Sequence, residues 1–354
     1  YDRLAGFIHS AAFPTTFGII NQYLGTLNGR MGGFITGGPE NMADAAFMGP
    51  LLAQSTDPAV SDASRTLLSS TKYAPDKAQW GFWAKGYGNW GKRDGSDIDE
   101  KYKYNTGGIA IGLDKKVNPA LLVGASFGYA HTKLDMDDVD EDSKIDSYQA
   151  SIYGVFSCKP WYLDGILSYG YNKYDTSRTF FMPGGLGFGT DANYHGQSFT
   201  GYLEAGYRAK VNGFDLIPMA SLQYSKIWME SFDESGAGIL SLYVDSENAD
   251  SFLGTLGIRI RKELVSEEGT FIPEFRARWV HEFSNSDYKV NAGFGGSPGI
   301  FTVRTDRPDR DSALLGLGVN AVLKNNTSFF ANFDANFGNE QQNYLGSVGF
   351  RYRW

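Results

Sequence analysis

The chain has 354 residues, of which 20% are charged and 15% aromatic, and its 44 glycines exceed the ordinary usage of near 7%. A formal net charge of −8 argues against nucleic acid as a partner, and no apolar run reaches the roughly 18 residues of a transmembrane helix. Together these features exclude a helical membrane protein but leave a membrane β-barrel, whose inward residues are polar.

The first predicted element is a helix within residues 1–31. Its apolar residues recur at steps of three and four on a single helical stripe: Phe17, Ile20, Leu24, Leu27 and Met31. Pro14 predicts a start or a kink, and Gly32–Gly33 predicts a stop. The stripe has to be buried, either on a periplasmic domain or inside a barrel. A twelve-stranded barrel has a lumen intermediate in width between those of eight- and sixteen-stranded barrels. We expect such a lumen to have room for one helix about 10–12 Å across.

Residues 32–79 are rich in proline and small polar residues. This composition predicts a linker, with short helices expected near 41–48 and 62–69. No signal peptide precedes the helix, which indicates a mature product or a fragment whose upstream part is missing. The single cysteine, Cys158, excludes an internal disulfide.

Residues 80–354 alternate apolar and polar side chains with a period of two, which predicts β-strands. One face of these strands is apolar and aromatic, and the other carries charges. A water-soluble barrel would require a very large apolar interior, so the pattern favours an all-β membrane barrel with its apolar face toward lipid. We expect about twelve strands near 80–94, 104–117, 120–133, 147–158, 161–175, 196–212, 214–230, 250–264, 269–284, 311–324, 326–338 and 344–354.

Short and long links alternate between these strands. The short ones, at 116–119, 212–213 and 325–326, have the asparagine and glycine of hairpin turns. The long ones are polar and lie at 94–103, 133–146, 175–195, 230–250 and 283–310. In outer-membrane barrels the short turns are periplasmic and the long loops extracellular. Both ends of the barrel segment of the chain, the start of its first strand and the end of its last, are therefore expected in the periplasm.

The inward charges predict a polar lumen that pairs with a threaded helix or sets ion selectivity. The candidate pore-lining residues are Glu204, Arg208, Arg259, Arg261, Glu274, Arg276, Arg278 and Arg351. The last strand ends on an aromatic residue after alternating apolar ones, which resembles the signal read by the bacterial barrel-assembly machinery. The residues of this assembly signal are Val348, Phe350, Tyr352 and Trp354.

Three motifs that suggest chemistry have simpler explanations. Gly124–Gly128 matches G-x-S-x-G, but Ser126 lies in a strand rather than a strand–turn–helix. The acidic run 135–142 either binds calcium or is a solvated loop, and we favour the loop because the spacing is not that of an EF-hand. The four histidines lack metal-ligand spacing. We therefore predict no catalytic residue, metal or cofactor.

The chain resembles the C-terminal translocator domain of classical autotransporters, the type V secretion proteins of Gram-negative bacteria. The resemblance rests on motifs in order along the chain: residues 4–10, 80–88, 146–148, 177–180, 206–208, 232–234, 310–314 and 350–354. It implies a twelve-stranded barrel with an N-terminal helix in its pore. It also implies that the barrel helps to export an upstream passenger domain to the cell surface.

Two departures from the family pattern stand out. The linker 32–79 is longer than is usual, and Gly25 and Thr26 occupy positions where self-cleaving members have paired asparagines. Self-cleavage by that route is therefore not expected. The partners implied are outer-membrane lipid, the assembly machinery and the passenger. The alternatives are a porin-like diffusion channel and a surface enzyme, and the enzyme would need catalytic groups around the rim histidines.

Overall fold

The computed structural model describes residues 4–35, 79–95, 100–182, 184–267, 269–284, 287–295, 297–306, 309–323 and 326–354. One helix precedes a succession of strands. In chain order these are α1 (Phe7–Ile35), β1 (Gln79–Arg93), β2 (Tyr102–Asn118), β3 (Leu121–Met136), β4 (Asp140–Cys158), β5 (Trp161–Met182), β6 (Leu186–Tyr207), β7 (Ala209–Val211), β8 (Phe214–Met229), β9 (Phe232–Asp233), β10 (Leu242–Val244), β11 (Glu247–Lys262), β12 (Leu264–Val265), β13 (Gly269–Glu282), β14 (Tyr288–Phe294), β15 (Ile300–Thr305), β16 (Asp311–Leu323), β17 (Thr327–Phe337) and β18 (Gln341–Arg353). The short helices expected near 41–48 and 62–69 lie outside the described residues.

Twelve long strands pair antiparallel in a closed ring. Around the ring they follow the order β1, β2, β3, β4, β5, β6, β8, β11, β13, β16, β17 and β18. The ring closes where β18 pairs with β1, from Gly81 opposite Arg353 to Arg93 opposite Gln341. Closure leaves no unpaired edge strand, as a wall immersed in lipid requires. The predicted twelve-stranded membrane barrel is confirmed.

The outer wall of the barrel is apolar along the strands. Phe329 and Phe333 of β17 are 52% and 48% exposed, while the neighbouring Ser328 is 2% exposed and faces inward. This contrast follows from the pleat, which sends successive side chains to opposite faces of the sheet. The outward face therefore suits lipid, and the inward face carries the polar groups.

The two ends of the barrel differ in their connections. At the short-turn end, where β1 begins and β18 ends, Asn212 and Gly213 form a tight turn with φ values of 50° and 79°. Both termini of the barrel meet there, since the Trp354 amide donates to the Trp80 carbonyl oxygen at 3.3 Å. The opposite end, here named the long-loop end, has the longer connections.

Two of the predicted long loops are largely strand, so those predictions were wrong. β3 and β4 extend into the link expected at 133–146, and β5 and β6 extend into the link expected at 175–195. Beyond the membrane, outward side chains meet water instead of lipid. The apolar–polar contrast that marks a strand in the sequence therefore disappears, although the backbone pairing continues.

The last two long links build a second sheet at the long-loop end. Its four strands lie in the order β15, β14, β10, β9, and an isolated bridge from Asp191 to Ser235 ties this region to β6. Tyr288 of β14 stacks on Phe13 of α1 with ring centroids 6.2 Å apart. This small sheet therefore packs against the helix at the mouth of the barrel.

The helix α1 lies inside the lumen and continues to Ile35, beyond the predicted stop at Gly32–Gly33. Pro14 is within it, and the hydroxyl groups of Thr15 and Thr16 donate to the carbonyl oxygens of Ala11 and Ala12. Gly32 does not end the helix. Instead, its missing side chain leaves space for Arg259, whose Nη1 would lie 3.1 Å from an added Cβ. Within the described ranges, no helix has both the length and the apolar character needed to cross a membrane.

Candidate functional site

The N-terminus of α1 is held by charged side chains of the barrel at its long-loop end. The Ile8 amide donates to Glu141 Oε2 at 3.0 Å, and Arg178 bridges Glu141 and Glu234 at 3.0 and 2.6 Å. The first turn of the helix has no acidic residue of its own. Glu141 of β4 therefore supplies the negative charge that a helix N-terminus favours.

Glu234 completes this N-terminal cluster from the segment between β9 and β10. Its Oε1 lies 2.8 Å from His9 Nε2, and the Leu242 amide donates to its Oε2. Burial opposes ionisation of this carboxyl, but the His9 hydrogen bond and the Arg178 guanidinium outweigh it and lower the pKa of Glu234 to about 2. Its stabilising charge is thus fully present above the ordinary pKa of 4.5 and is lost only as the pH falls toward about 2.

Hydroxyl groups hold the middle of the helix against β3 and β5. Thr16 Oγ1 lies 2.9 Å from the Tyr174 hydroxyl, and the Tyr23 hydroxyl lies 2.8 Å from Ser126 Oγ. Gly128 makes room for Tyr23, because an added Cβ would lie 2.4 Å from its ring. Ser126, in the middle of its strand, therefore serves as a hydrogen-bond partner of the helix.

The C-terminal part of α1 is anchored by a buried ion pair. Arg30 donates to both oxygens of Asp114 on β2, at 2.8 and 2.7 Å. The Tyr153 hydroxyl donates to the same carboxylate at 3.0 Å, and Trp83 Nε1 donates to the Tyr153 oxygen at 2.7 Å. Both members of the pair are at most 5% exposed. This two-point geometry fixes the depth and the rotation of the helix in the lumen.

Most of these contacts in the barrel wall lie on strands β2–β5, and the other side of the lumen is less filled. A cavity of about 320 Å³, here named the side cavity, separates α1 from β11, β13, β16, β17 and β18. Helix residues from Pro14 to Gly33 border it. The helix therefore rests against one wall of the barrel and leaves a polar space along the other.

The structure places the eight predicted inward charges in three settings. Six border the side cavity: Arg259, Arg261, Glu274, Arg276, Arg278 and Arg351. Glu204 is 2% exposed and accepts hydrogen bonds from the hydroxyl groups of Tyr162 and Tyr202. Arg208 lies near the short-turn end, 2.9 Å from Asp215.

Sequence reasoning missed the residues that contact the helix most directly. Glu141 was assigned to a solvated acidic loop, yet it is 4% exposed and faces the lumen. Its place two residues before the inward-facing Ser143 was the available signal, since alternate residues share a face. Asp114 carried the same parity signal on β2. Nothing in the sequence showed that these carboxylates would meet Ile8 and Arg30.

The remaining acidic run forms part of the β3–β4 hairpin. Asp135 pairs with Asp142 across the two strands, and the Lys133 ammonium lies 2.7 Å from Asp135. Among the residues that the structure describes, no group of three or more histidine, cysteine, aspartate or glutamate side chains is arranged to hold a metal ion.

The assembly-signal residues occupy the outward face of β18 and the residue that follows it. Val348, Phe350, Tyr352 and Trp354 are 64%, 40%, 47% and 59% exposed. Phe350 packs on Phe82 of β1 with ring centroids 6.2 Å apart. These side chains therefore lie along the seam between the first and last strands.

Neutralising Glu141 is expected to loosen the N-terminal turn of the helix. In Glu141→Gln the amide oxygen still accepts from the Ile8 amide, but Arg178 loses one of its two carboxylate partners. Hydrogen bonds to charged groups contribute about 1.5–3 kcal/mol, so amide hydrogen exchange over the first turns of α1 should rise about 10- to 100-fold. The control is Asp140→Asn, one residue away and exposed. Equal exchange in the two variants would contradict the assigned role of Glu141.

The sequence matches the family described as Autotransporter beta-domain over residues 82–334, well over half of the chain. An extracellular serine protease of Serratia marcescens is 26% identical over 77% of this chain, and outer membrane protein A of Rickettsia conorii is 29% identical over 71%. The aligned parts cover 26% and 13% of those proteins, so the chain spans about a quarter or less of their length.

Two solved structures share the fold. The translocator domain of the autotransporter NalP from Neisseria meningitidis superposes with a TM-score of 0.65 at 18% identity, covering 90% of this chain and 98% of that one. The beta domain of the Bordetella autotransporter Brka gives a TM-score of 0.58 at 20% identity, covering 78% of this chain and 99% of that one. At these identities the likeness concerns the fold.

Proposed function

Because the chain belongs to the autotransporter β-domain family, whose barrel lies in the outer membrane, we propose that it carries an upstream passenger domain to the cell surface and then closes around its own helix. The observation that carries the proposal is the position of α1, which runs through the lumen with its N-terminus at the long-loop end. A segment joined to that N-terminus would emerge at the long-loop end. We therefore propose that the long loops lie outside the cell and that both chain termini of the barrel lie in the periplasm.

We assign two further partners to the barrel surface. Outer-membrane lipid covers the apolar outer wall, as expected for side chains such as Phe329 and Phe333. The barrel-assembly machinery reads the end of β18 through Val348, Phe350, Tyr352 and Trp354. We assign no chemistry to the barrel itself, and any enzymatic activity belongs to the passenger. The name of the Serratia relative describes a protein about four times longer than its matched part.

A porin-like channel is the weaker alternative. A general diffusion pore needs an open lumen, whereas here α1 is buried along most of its length and anchored at both ends. Six of the eight predicted inward charges border the side cavity beside the helix. A lumen occupied by the helix therefore favours a translocator that has finished exporting its passenger.

A reporter fused upstream of Tyr1 tests the proposal. A signal peptide and an epitope tag are placed before residues 1–354, and antibody binding to intact cells is measured. We expect surface labelling, because the helix N-terminus faces outward. A folded barrel, recognised by its heat-dependent shift on a gel, with the tag retained in the periplasm would overturn both the export function and the orientation.

Deleting Trp354 in the same fusion tests the assembly signal. Both the folded barrel in the membrane and the surface tag are expected to fall together, since an unassembled barrel exports nothing. The matched control is Trp161→Ala, which removes an outward aromatic residue that is 61% exposed near the same end of the barrel. An equal loss in the control would show that any interfacial aromatic residue matters and that Trp354 is not a signal.

A further inference from the structure

The side cavity extends along nearly the whole lumen. From Pro14 to Gly33 the helix rises about 29 Å, close to the thickness of about 30 Å of a bilayer hydrocarbon core. Its lining reaches from Asp309 and Gly338 at the long-loop end to Arg261 and Arg351 toward the short-turn end. A volume of about 320 Å³ holds more than about ten water molecules.

Two cations that border this cavity have no carboxylate partner among the described residues. Lys85 of β1 is 4% exposed, and its ammonium lies 5.6 Å over the Phe330 ring. Arg278 of β13 has one hydrogen bond, to Met219 Sδ at 3.9 Å, and its Nε has none. Within the described ranges, neither side chain has an acidic oxygen within 4.0 Å.

Three other cations that border the cavity have carboxylate partners. Arg259 lies 3.5 Å from Glu274, and Arg276 lies 2.6 Å from Glu274 and 3.0 Å from Asp334. Arg261 lies 3.2 Å from Asp215. The lining of the cavity therefore carries more cationic than anionic side chains, and Lys85 and Arg278 are among the excess cations.

The acidic residues of the cavity at the long-loop end accept hydrogen bonds from other groups of the protein. Glu282 accepts from the Phe252 and Ser284 amides at 2.8 and 2.9 Å and from the Ser251 hydroxyl. Asp309 accepts from the Glu340 amide at 3.0 Å. Their negative charge is thus partly compensated by backbone dipoles, and they attract mobile cations less than free carboxylates would.

Buried cations without a carboxylate partner are stable only if water or a mobile counter-ion solvates them. We propose that the barrel, with its helix in place, keeps a narrow hydrated passage along the side cavity that selects small anions. Lys85 and Arg278 are its selectivity residues. Small inorganic anions such as chloride are the class that this cavity accepts, and the inference requires only the helix position, not export of a passenger.

Ion selectivity in planar bilayers tests the proposal. The full chain of 354 residues, without any passenger, is reconstituted, and the reversal potential is measured across a tenfold gradient of KCl. We expect small, steady conductance with chloride favoured over potassium roughly threefold or more, because a charged cleft concentrates its counter-ions. Cation selectivity, or no conductance above that of the bare bilayer, overturns the inference.

Matched substitutions test whether Lys85 and Arg278 determine the anion selectivity. Lys85→Gln and Arg278→Gln should each lower the chloride preference, and the double variant should bring the permeability ratio near one. Lys103→Gln removes the same charge outside the lumen, where Lys103 is 57% exposed, and should change nothing. An equal shift in Lys103→Gln overturns the assignment. If a glutamine variant does not fold, Lys85→Arg and Arg278→Lys replace it, and loss of selectivity in these charge-preserving variants also contradicts the proposal.

Discussion

Deleting residues 1–35 is expected to raise the single-channel conductance of the barrel about tenfold or more, because a helix about 10–12 Å across then leaves the lumen. Within the described ranges, the intact chain leaves the side cavity beside the helix, whereas the deletion joins that space to the volume of α1. The measurement is single-channel recording in planar bilayers at fixed salt, with the folded state verified by heat-dependent migration on a gel.

The control for this deletion removes Gly184 and Gly185 from the tip of the β5–β6 hairpin. Both glycines have positive φ at an exposed turn with open space around them. This variant should conduct as the intact chain does. Unchanged conductance after removal of the helix would show that α1 is not the plug, and a diffusion pore would then be the better explanation.

Replacing Asp114 by asparagine is expected to destabilise the seated helix by about 3–5 kcal/mol. The substitution keeps the shape of the side chain but leaves the Arg30 guanidinium buried without its carboxylate. Breaking a buried pair costs more than the pair contributes, since the remaining charge has lost its water as well as its partner. Amide hydrogen exchange of α1 in the reconstituted barrel should rise by at least about two orders of magnitude.

The double variant Arg30→Met with Asp114→Asn shows whether charge is the cause. With the cation removed, the asparagine can still accept a hydrogen bond from the Tyr153 hydroxyl. Most of the lost protection of α1 against amide hydrogen exchange should therefore return. If the double variant exchanges as fast as Asp114→Asn alone, the stability of the helix depends on shape or on other contacts and not on an orphaned charge.

Much of the barrel could be predicted from the residues because it follows local rules. The alternation around Phe329 and Phe333 reflects the pleat of a single strand, and Asn212–Gly213 reflects the φ values of a two-residue turn. Neither requires knowledge of a distant partner. The number of strands followed from counting such segments, and the family resemblance supplied the function.

The polar contacts of the lumen could not be predicted in this way. Ile8 and Glu141 are 133 positions apart, and Arg30 and Asp114 are 84 apart. Such pairs depend on the depth and rotation of the helix, and no local pattern encodes either. The prediction of a loop at 133–146 was wrong for a related reason, since the strands there extend into water, where the hydrophobic contrast ends.

The sequence by itself determined the class of protein: a lipid-facing barrel of twelve strands with an apolar helical stripe ahead of it. Hydrophobic periodicity is a property of each segment and is therefore readable without the fold. Only the tertiary structure decided where the helix lies, which carboxylates hold its ends, and that a cavity remains beside it. In the described ranges, the cavity cations Lys85 and Arg278 have no carboxylate partner. These features arise when a curved wall closes around a helix, because side chains distant in sequence then face one enclosed lumen.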